Sequence, residues 1–241
     1  MALTLGIFGA SGRMGRAVAS CLLNEGKFHL SCAHVHASSP FLGQDLGLLI
    51  DQPPLGITLS TTLPTPLPDL FIDFSLAPGL SERLALKRPL VIGTTGLSSA
   101  DLALIKEAAQ STPIFHAANF SIGMALMTYL VQETAKRFPT AQINLTETHH
   151  AGKKDAPSGS ALKLAASIRK INPEAAVPIQ SIRNGNIVGK HRVQFYTGEE
   201  RIEIFHEAQT RDAFAKGALL AAEFLSQQKP GLYNMDDLYR S

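Results

Sequence analysis

The sequence predicts an α/β fold: a mostly parallel sheet with covering helices in the first half, followed by a mixed α+β domain. Three observations lead there. Short apolar runs alternate with helical patterns from Leu3 to Ala117. A glycine-rich turn, Gly9 to Gly15, follows the first run directly. From Met124 on the chain changes character, with a long amphipathic segment and then strand-like runs. Strands separated by helices of this length imply βαβ units and parallel neighbours.

Each element has its own signal. Leu3 to Phe8 reads as a buried strand that runs straight into the glycine turn, so it is not read as a signal peptide. Arg13 to Asn24 places Met14, Val18, Cys21 and Leu22 at a helical period. Further strands are expected at Leu30 to Val35, Leu70 to Phe74, Leu90 to Ile92 and Ile114 to Ala117. Helices are expected between them at Leu80 to Leu86 and Ala100 to Ala109, and the Pro-rich Leu63 to Pro68 is a loop. In the second half, Met124 to Phe138 and Ser158 to Arg169 are helical, and Ile143 to Thr148 alternates like a half-buried strand. Ile187 to Thr197 and Arg201 to His206 read as strands joined at Gly198. The Ala-rich helix Phe214 to Ser226 fits against either domain as far as its pattern goes.

Composition narrows the function. The 241 residues hold one large domain or two ordinary ones, and 45% hydrophobic content is enough for real cores. A net charge of +2 without runs of like charge points to no nucleic-acid and no membrane partner. No apolar stretch approaches the roughly 20 residues of a membrane span. Two cysteines, Cys21 and Cys32, fit a reducing, cytoplasmic setting rather than a disulfide framework.

The turn Gly9-Ala10-Ser11-Gly12-Arg13-Met14-Gly15 spaces its glycines three and three. Glycine permits a tight strand-to-helix turn and close approach of backbone to a pyrophosphate. The helix start then offers N–H groups to the anion. Arg13 sits where the helix dipole disfavours a cation, which a nearby phosphate would explain. The alternative is a tight turn that is merely glycine-rich. The second strand ends Cys32-Ala33-His34-Val35-His36, with no carboxylate to bond a ribose 2′-hydroxyl or repel a 2′-phosphate. His36, together with Arg13, is the candidate phosphate contact, against the alternative of a solvated loop histidine. Gly93-Thr94-Thr95-Gly96 and Ala117-Ala118-Asn119-Phe120-Ser121 end two further strands and are expected to line the same crevice.

The polar stretch Glu147 to Ala161 carries His149, His150, Lys153, Lys154 and Asp155 ahead of a Pro157-Ser158 helix start. Ser158 is a good N-cap, and N–H groups near Gly159 and Ser160 form a ready carboxylate site. A histidine works as acid or base near neutral pH, and Lys153 adds charge and a proton. The stretch suits a small dicarboxylate that must be protonated. A metal site would use the histidines, but beyond Glu147 and Asp155 no cysteine or close carboxylate cluster supports it, and none is expected. A solvated, charged loop is the remaining alternative.

This stretch closely resembles the signature of the 4-hydroxy-tetrahydrodipicolinate reductase family, E-x-H-H-x-x-K-x-D-x-P-S-G-T-A, with Ser160 in place of the threonine. Gly9 to Gly15, Phe71 to Ser75, Val91 to Gly96, Ala117 to Gly123 and Gly185 to His191 resemble the same family in the same order. The resemblance implies a Rossmann-like dinucleotide-binding domain, residues 1–119 with 208–241, using NADPH or NADH. It also implies a substrate-binding and oligomerisation domain, 120–207, whose open sheet builds a homotetramer. It makes His149 the acid/base group and Lys153 a proton donor. His150, Gly159 and Ser160 become substrate-carboxylate contacts. Gly9, Ala10, Ser11, Gly12, Arg13, Met14, Gly93, Thr94, Thr95, Ala117, Ala118, Asn119 and Phe120 become cofactor contacts. Val35 departs from the family, standing where many members carry the ribose-binding acid. The connection after Lys170 is short for the family.

Two rivals remain in view. An aspartate-semialdehyde type of dehydrogenase needs a nucleophilic cysteine in the second domain, and both cysteines lie in the first. A non-catalytic NAD(P) sensor would keep Gly9 to Gly15 but has no need of His149 and Lys153 together.

Overall fold

The computed structural model describes residues 3–239. In chain order, β1 (Leu3–Phe8), α1 (Arg13–Glu25) and β2 (Phe28–His34) form a βαβ unit. A short α2 (Leu46–Leu49) and a two-residue β3 (Leu59–Ser60) follow. Then come β4 (Leu70–Asp73), α3 (Leu80–Ala85), β5 (Leu90–Ile92), α4 (Ser99–Ala108) and β6 (Pro113–His116). The second half contains α5 (Ile122–Arg137), β7 (Gln142–His149), α6 (Gly159–Ile171), β8 (Ile179–Arg183), β9 (Gly189–Tyr196) and β10 (Arg201–Ala208). Helix α7 (Asp212–Leu225) and β11 (Gly231–Tyr233) close the chain. The chain divides into two compact units, Met1–Phe120 with Phe214–Ser241, and Ser121–Ala213.

The first unit is a seven-stranded sheet in the order β11-β6-β5-β4-β1-β2-β3, with every ladder parallel. Strands β4 and β5 are buried at every position, as expected for a sheet covered on both faces. From central β1 the chain first builds outward through β2 and β3, then returns to build β4, β5 and β6 on the other side. The order therefore reverses between β1 and β4. Their connecting loops leave in opposite directions there and open a crevice beyond the strand ends.

The terminal segment answers the question its pattern left open. Strand β11 pairs with β6, Leu232 opposite Ile114, and α7 buries Ala215, Ala218, Leu219, Ala222 and Leu225. Phe224 of that helix meets Phe115 and Tyr233 edge to face.

The second unit is a four-stranded mixed sheet, β10-β9-β7-β8, parallel only between β7 and β8. Helices α5 and α6 cover one face. There Met127, Val131, Leu164 and Ile168 pack on Ile143, Leu145, Val193 and Phe195. Each such side chain contributes roughly 1.5–3 kcal/mol by leaving water. Four of the helices and strands escape the sequence reading, and α2, a single turn of four residues, is too short to show a helical period. Strands β3 and β11 are too short for a period. In β8, Ile179 and Ile182 lie on opposite faces, so no alternation shows. Strand β9 begins at Gly189, two residues later than expected.

Candidate functional site

In the first unit, a cleft of about 820 Å³ opens at the carboxyl ends of β1, β2 and β4, where the strand order reverses. Gly9, Ser11, Gly12, Val35 and His36 line it, with the loop Phe74 to Gly79 opposite. Gly9 takes φ +75°, and a Cβ there would stand 2.8 Å from the Phe74 carbonyl oxygen and 2.9 Å from the Ser75 nitrogen. The turn is therefore built for glycine on two counts, conformation and space. The N–H groups of Gly9 and Ala10 donate to the His34 carbonyl, at 3.0 and 3.1 Å, which folds the turn over the end of β2.

The other sequence-marked residues are placed unevenly. Ala10 is buried beneath the turn, and Arg13 opens α1 with its side chain exposed. Neither Arg13 nor Met14 lines the cleft. Gly93, Thr94 and Thr95 follow β5, and Ala117 to Phe120 follow β6, at the same end of the sheet. They do not line the cleft either. Phe74 stands between: a Cβ on Gly93 would meet its ring at 2.1 Å, and its ring meets Phe120 edge to face at 5.5 Å. The Thr94 hydroxyl is buried without a hydrogen-bond partner among the described residues.

At the end of β2 the structure holds no carboxylate. Val35 is buried, and His34 donates Nε2–H to the Thr61 carbonyl at 3.1 Å. Burial holds His34 below its ordinary value, which keeps it neutral. His36 is tied into its own loop, its Nδ1 accepting from the Ser38 N–H at 3.2 Å with the Ser38 hydroxyl at 2.8 Å. Nδ1 is therefore the acceptor, and Nε2 carries the proton of the neutral ring. Arg83 also borders the cleft, but its donors go elsewhere. Nε bonds buried Asp73 at 2.7 Å, and the two other nitrogens bond the Pro78 and Leu76 carbonyls at 3.0 and 2.8 Å.

In the second unit the register gathers a polar strip on the helix-covered face of the sheet. Along β7, Ile143, Leu145, Glu147 and His149 alternate inward. Glu147 pairs with Ser181 on β8 and His191 on β9, and His149 with Arg183 on β8. The same face is thus apolar at one end and ionisable at the other. His149 Nδ1–H donates to Glu147, and Arg183 donates to the second oxygen of Glu147 at 2.8 Å. The His149 and His191 rings meet edge to face at 5.2 Å, and His206 lies beyond His191 at 6.4 Å. His206 Nε2 is 3.1 Å from the Ser121 hydroxyl, the N-cap of α5.

The loop after β7 runs into α6. Ser158 caps α6, its hydroxyl accepting from the Ala161 N–H at 3.3 Å. His150, Lys153, Gly159 and Ser160 lie along this loop and first turn. Lys153 Nζ pairs with Asp155 at 2.8 Å, and the Asp155 carboxylate also accepts from the Gly159 N–H. A carboxylate from the chain itself thus sits on the donors expected to take a ligand carboxylate. Lys153 and these hydrogen bonds hold Asp155 below its ordinary value. Among the described residues, no group of three or more His, Cys, Asp or Glu is arranged to hold a metal ion.

Sequence reasoning missed Arg183, His191 and His206, and gave Glu147 no catalytic role. The signal was present in the alternation Glu147/His149 on one strand and Gly189/His191 on another. It becomes readable only once β7 and β9 are known to be neighbours.

The strip has a cost in acid. Burial first, then His149 and His206, push His191 from its ordinary 6.5 to about 4. Below pH 6.5 the unfolded chain binds a proton that the folded chain refuses, so stability falls as pH drops from 6.5 to about 4. The loss is about 3 kcal/mol. For Glu147, burial acts to raise the pKa, but the hydrogen bonds from Arg183 and His149 overcome it and hold the group at about 2, from 4.5. Its contribution is complete above 4.5 and is lost as pH falls toward 2. Thermal denaturation at pH 7 and pH 4.5 is expected to show a clear drop in Tm, and His191→Gln should flatten it. Equal Tm values at both pH values would contradict this ionisation scheme.

Comparison with known proteins agrees across the chain. The family model described as Dihydrodipicolinate reductase, N-terminus, matches residues 3–120, and Dihydrodipicolinate reductase, C-terminus, matches 123–239. The 4-hydroxy-tetrahydrodipicolinate reductase of Rubrobacter xylanophilus is 38% identical, covering 98% of this chain and 97% of the relative. That of Halorhodospira halophila is 36% identical, with 99% of each chain covered. Among solved structures, a dipicolinate-bound dihydrodipicolinate reductase from Paenisporosarcina sp. TG-14 has a TM-score of 0.79 at 23% identity, covering 98% of this chain and 99% of that one. Aspartate semialdehyde dehydrogenase II from Vibrio cholerae has a TM-score of 0.61 at 11% identity, covering 95% of this chain and 99% of that one. At these identities the two structures establish a shared fold. From the two family models and the full-length relatives it follows that this protein belongs to the dihydrodipicolinate reductase family.

Proposed function

We propose that this chain is an NAD(P)H-dependent 4-hydroxy-tetrahydrodipicolinate reductase of diaminopimelate and lysine synthesis. It reduces the unsaturated cyclic imine dicarboxylate, formed by loss of water from the hydroxylated substrate, to tetrahydrodipicolinate. The observation that carries the assignment is the grouping of a buried Glu147–His149 pair with Lys153 and the start of α6, in a chain matched by reductases over its length.

The first unit fits a nicotinamide dinucleotide. The Gly9 turn has no room for a Cβ, the cleft follows the strand-order reversal, and the buried Thr94 hydroxyl has no hydrogen-bond partner among the described residues. Gly9, Ser11, Gly12 and His36 would hold the dinucleotide, with Gly93 to Thr95 and Ala117 to Phe120 at neighbouring strand ends. Bound there, the cofactor supplies the hydride.

The second unit handles charge and the proton. A substrate carboxylate competes with Asp155 for the Gly159 N–H and Lys153, and Ser160 and His150 complete the contacts. These cations and N–H groups stabilise the dianion and the charge that develops on reduction. His149 and Lys153 are the groups that deliver the proton. We further propose a homotetramer formed through the outer face of the unit's sheet. That face carries exposed Phe205 and Ile182 and the cross-strand pairs Arg192–Glu203 and Lys190–Glu207.

Turnover of the dihydrodipicolinate synthase product by the purified protein tests the assignment, and absence of turnover with either cofactor refutes it. The same assay tests cofactor choice. NADPH is expected to be used at least as well as NADH, because Val35 neither bonds a 2′-hydroxyl nor repels a 2′-phosphate. A phosphate there meets His36 Nε2–H and the Ser39 hydroxyl, both of which line the cleft. A well-placed charge-assisted hydrogen bond is worth about 1.5–3 kcal/mol, and exposure reduces that, so the preference is modest. His36→Ala should lower kcat/KM for NADPH by up to roughly tenfold and leave NADH nearly unchanged. A strong NADH preference would mean that another residue reads the ribose.

A further inference from the structure

Glu147 has no solvent exposure, yet it is ringed by donors. His149 Nδ1–H and Arg183 bond it from the same sheet face, and the Ser158 N–H reaches it from the N-cap of α6 at 3.3 Å. Three elements, β7, β8 and the start of α6, therefore meet on one carboxylate. Arg183 extends the join, donating to the Asp155 carbonyl in the loop that carries Lys153. A carboxylate withdrawn from water is tolerated only with partners of this kind, and losing one of them is costly.

We propose that Glu147 is a positioning residue for the reduction. It fixes His149 with a proton on Nδ1 and leaves Nε2 as the working nitrogen, and it ties that ring to the start of α6. The role rests on the assignment of His149 as the acid/base group. An ionised carboxylate only accepts, so the shared proton belongs to Nδ1, and the second nitrogen is left to exchange protons with a ligand. Space for Nε2 is provided opposite. A Cβ on Gly189 would stand 3.1 Å from it, so glycine at the start of β9 leaves the ring its place. Arg183 occupies the other Glu147 oxygen, which leaves Oε2 to His149.

The charge on Glu147 also favours the protonated ring. The charged or titratable groups facing His149 are Glu147 on its own strand, Arg183 from β8, His191 from β9 and Lys153 from the following loop. Burial lowers the His149 pKa, Glu147 opposes that, and Lys153 and Arg183 lower it further. Glu147 is thus the group that keeps a protonated His149 accessible. Glu147→Gln keeps shape and an acceptor but loses the charge, so the ring gives up its proton at lower pH.

Nitrogen-15 NMR of the histidine rings, with His149 assigned by its absence in His149→Gln, tests the wild-type protein directly. At neutral pH, His149 is expected to carry its proton on Nδ1, and a proton on Nε2 overturns the proposal. In Glu147→Gln, kcat should fall by roughly 10- to 10⁴-fold, the upper end being the loss when an acid/base histidine is deprived of its orienting carboxylate. KM for the dicarboxylate should change little, and the alkaline limb of the kcat profile should move to lower pH. Glu147→Asp, which restores the charge, should recover that limb. A folded Glu147→Gln enzyme with wild-type kcat and profile, or one altered in KM alone, overturns the proposal. If Glu147→Gln does not fold, the wild-type spectrum decides by itself. A wild-type protein with the Nδ1–H ring but no turnover would instead refute the reductase assignment and leave the geometry standing.

Discussion

Replacing His149 by alanine is expected to lower kcat by roughly 10²–10⁴-fold, the range for a lost general acid or base. The ring is the last residue of β7, almost fully buried, and held through Nδ1 by Glu147. Its second nitrogen lies over Gly189. Alanine removes the proton carrier and leaves Glu147 bonded by Arg183, so the sheet should survive with Arg183 compensating the buried charge. Steady-state kinetics should therefore show loss in kcat and kcat/KM together, the mark of an interaction made at the transition state. Unchanged kcat with a raised KM would make His149 a binding residue instead.

Lys153→Ala is expected to lose most of its turnover, on the order of 10²-fold or more. Substrate binding should weaken less. Lys153 is four residues beyond His149 and already pairs with a carboxylate, Asp155, which shares the Gly159 N–H. When a substrate carboxylate arrives, the ammonium is at hand as both counter-charge and proton source. The N–H groups of α6 remain in the variant and continue to hold the carboxylate. Lys153→Arg separates the two roles. Arginine keeps the charge but stays protonated at working pH, so binding should recover while kcat stays low. Near-wild-type turnover in either variant would remove Lys153 from the proton-transfer role.

Much of this was legible in the linear sequence because it depends on neighbours in the chain. A buried strand followed by a glycine turn and a helical period is a local pattern, and β1 with α1 appeared where expected. The stretch Glu147 to Ala161 is contiguous, so its chemistry could be read from residue types and spacing. The N-cap at Ser158 follows from Pro157 before it and the helical period after it.

Other features depend on residues far apart in the chain. Arg183 reaches Glu147 across 36 positions because β8 lies parallel to β7. His191 stands opposite Glu147 because β9 runs antiparallel to β7. A one-residue change of register would turn Glu147 and His149 to the open face and dissolve the strip. The cleft beside Gly9 arises from the same kind of cause. It exists because β4 joins the sheet on the far side of β1 from β2, an order that no local period encodes. The placement of α7 was decided by β11 pairing with β6, since an Ala-rich face packs equally well on many surfaces and three strand residues leave no pattern. Sequence by itself determined the longer elements, the glycine turn and the chemistry-bearing loop, because local sterics and hydrophobic period act along the chain. Tertiary structure alone decided which buried charges share a hydrogen bond, because strand register is fixed by packing of the whole sheet face.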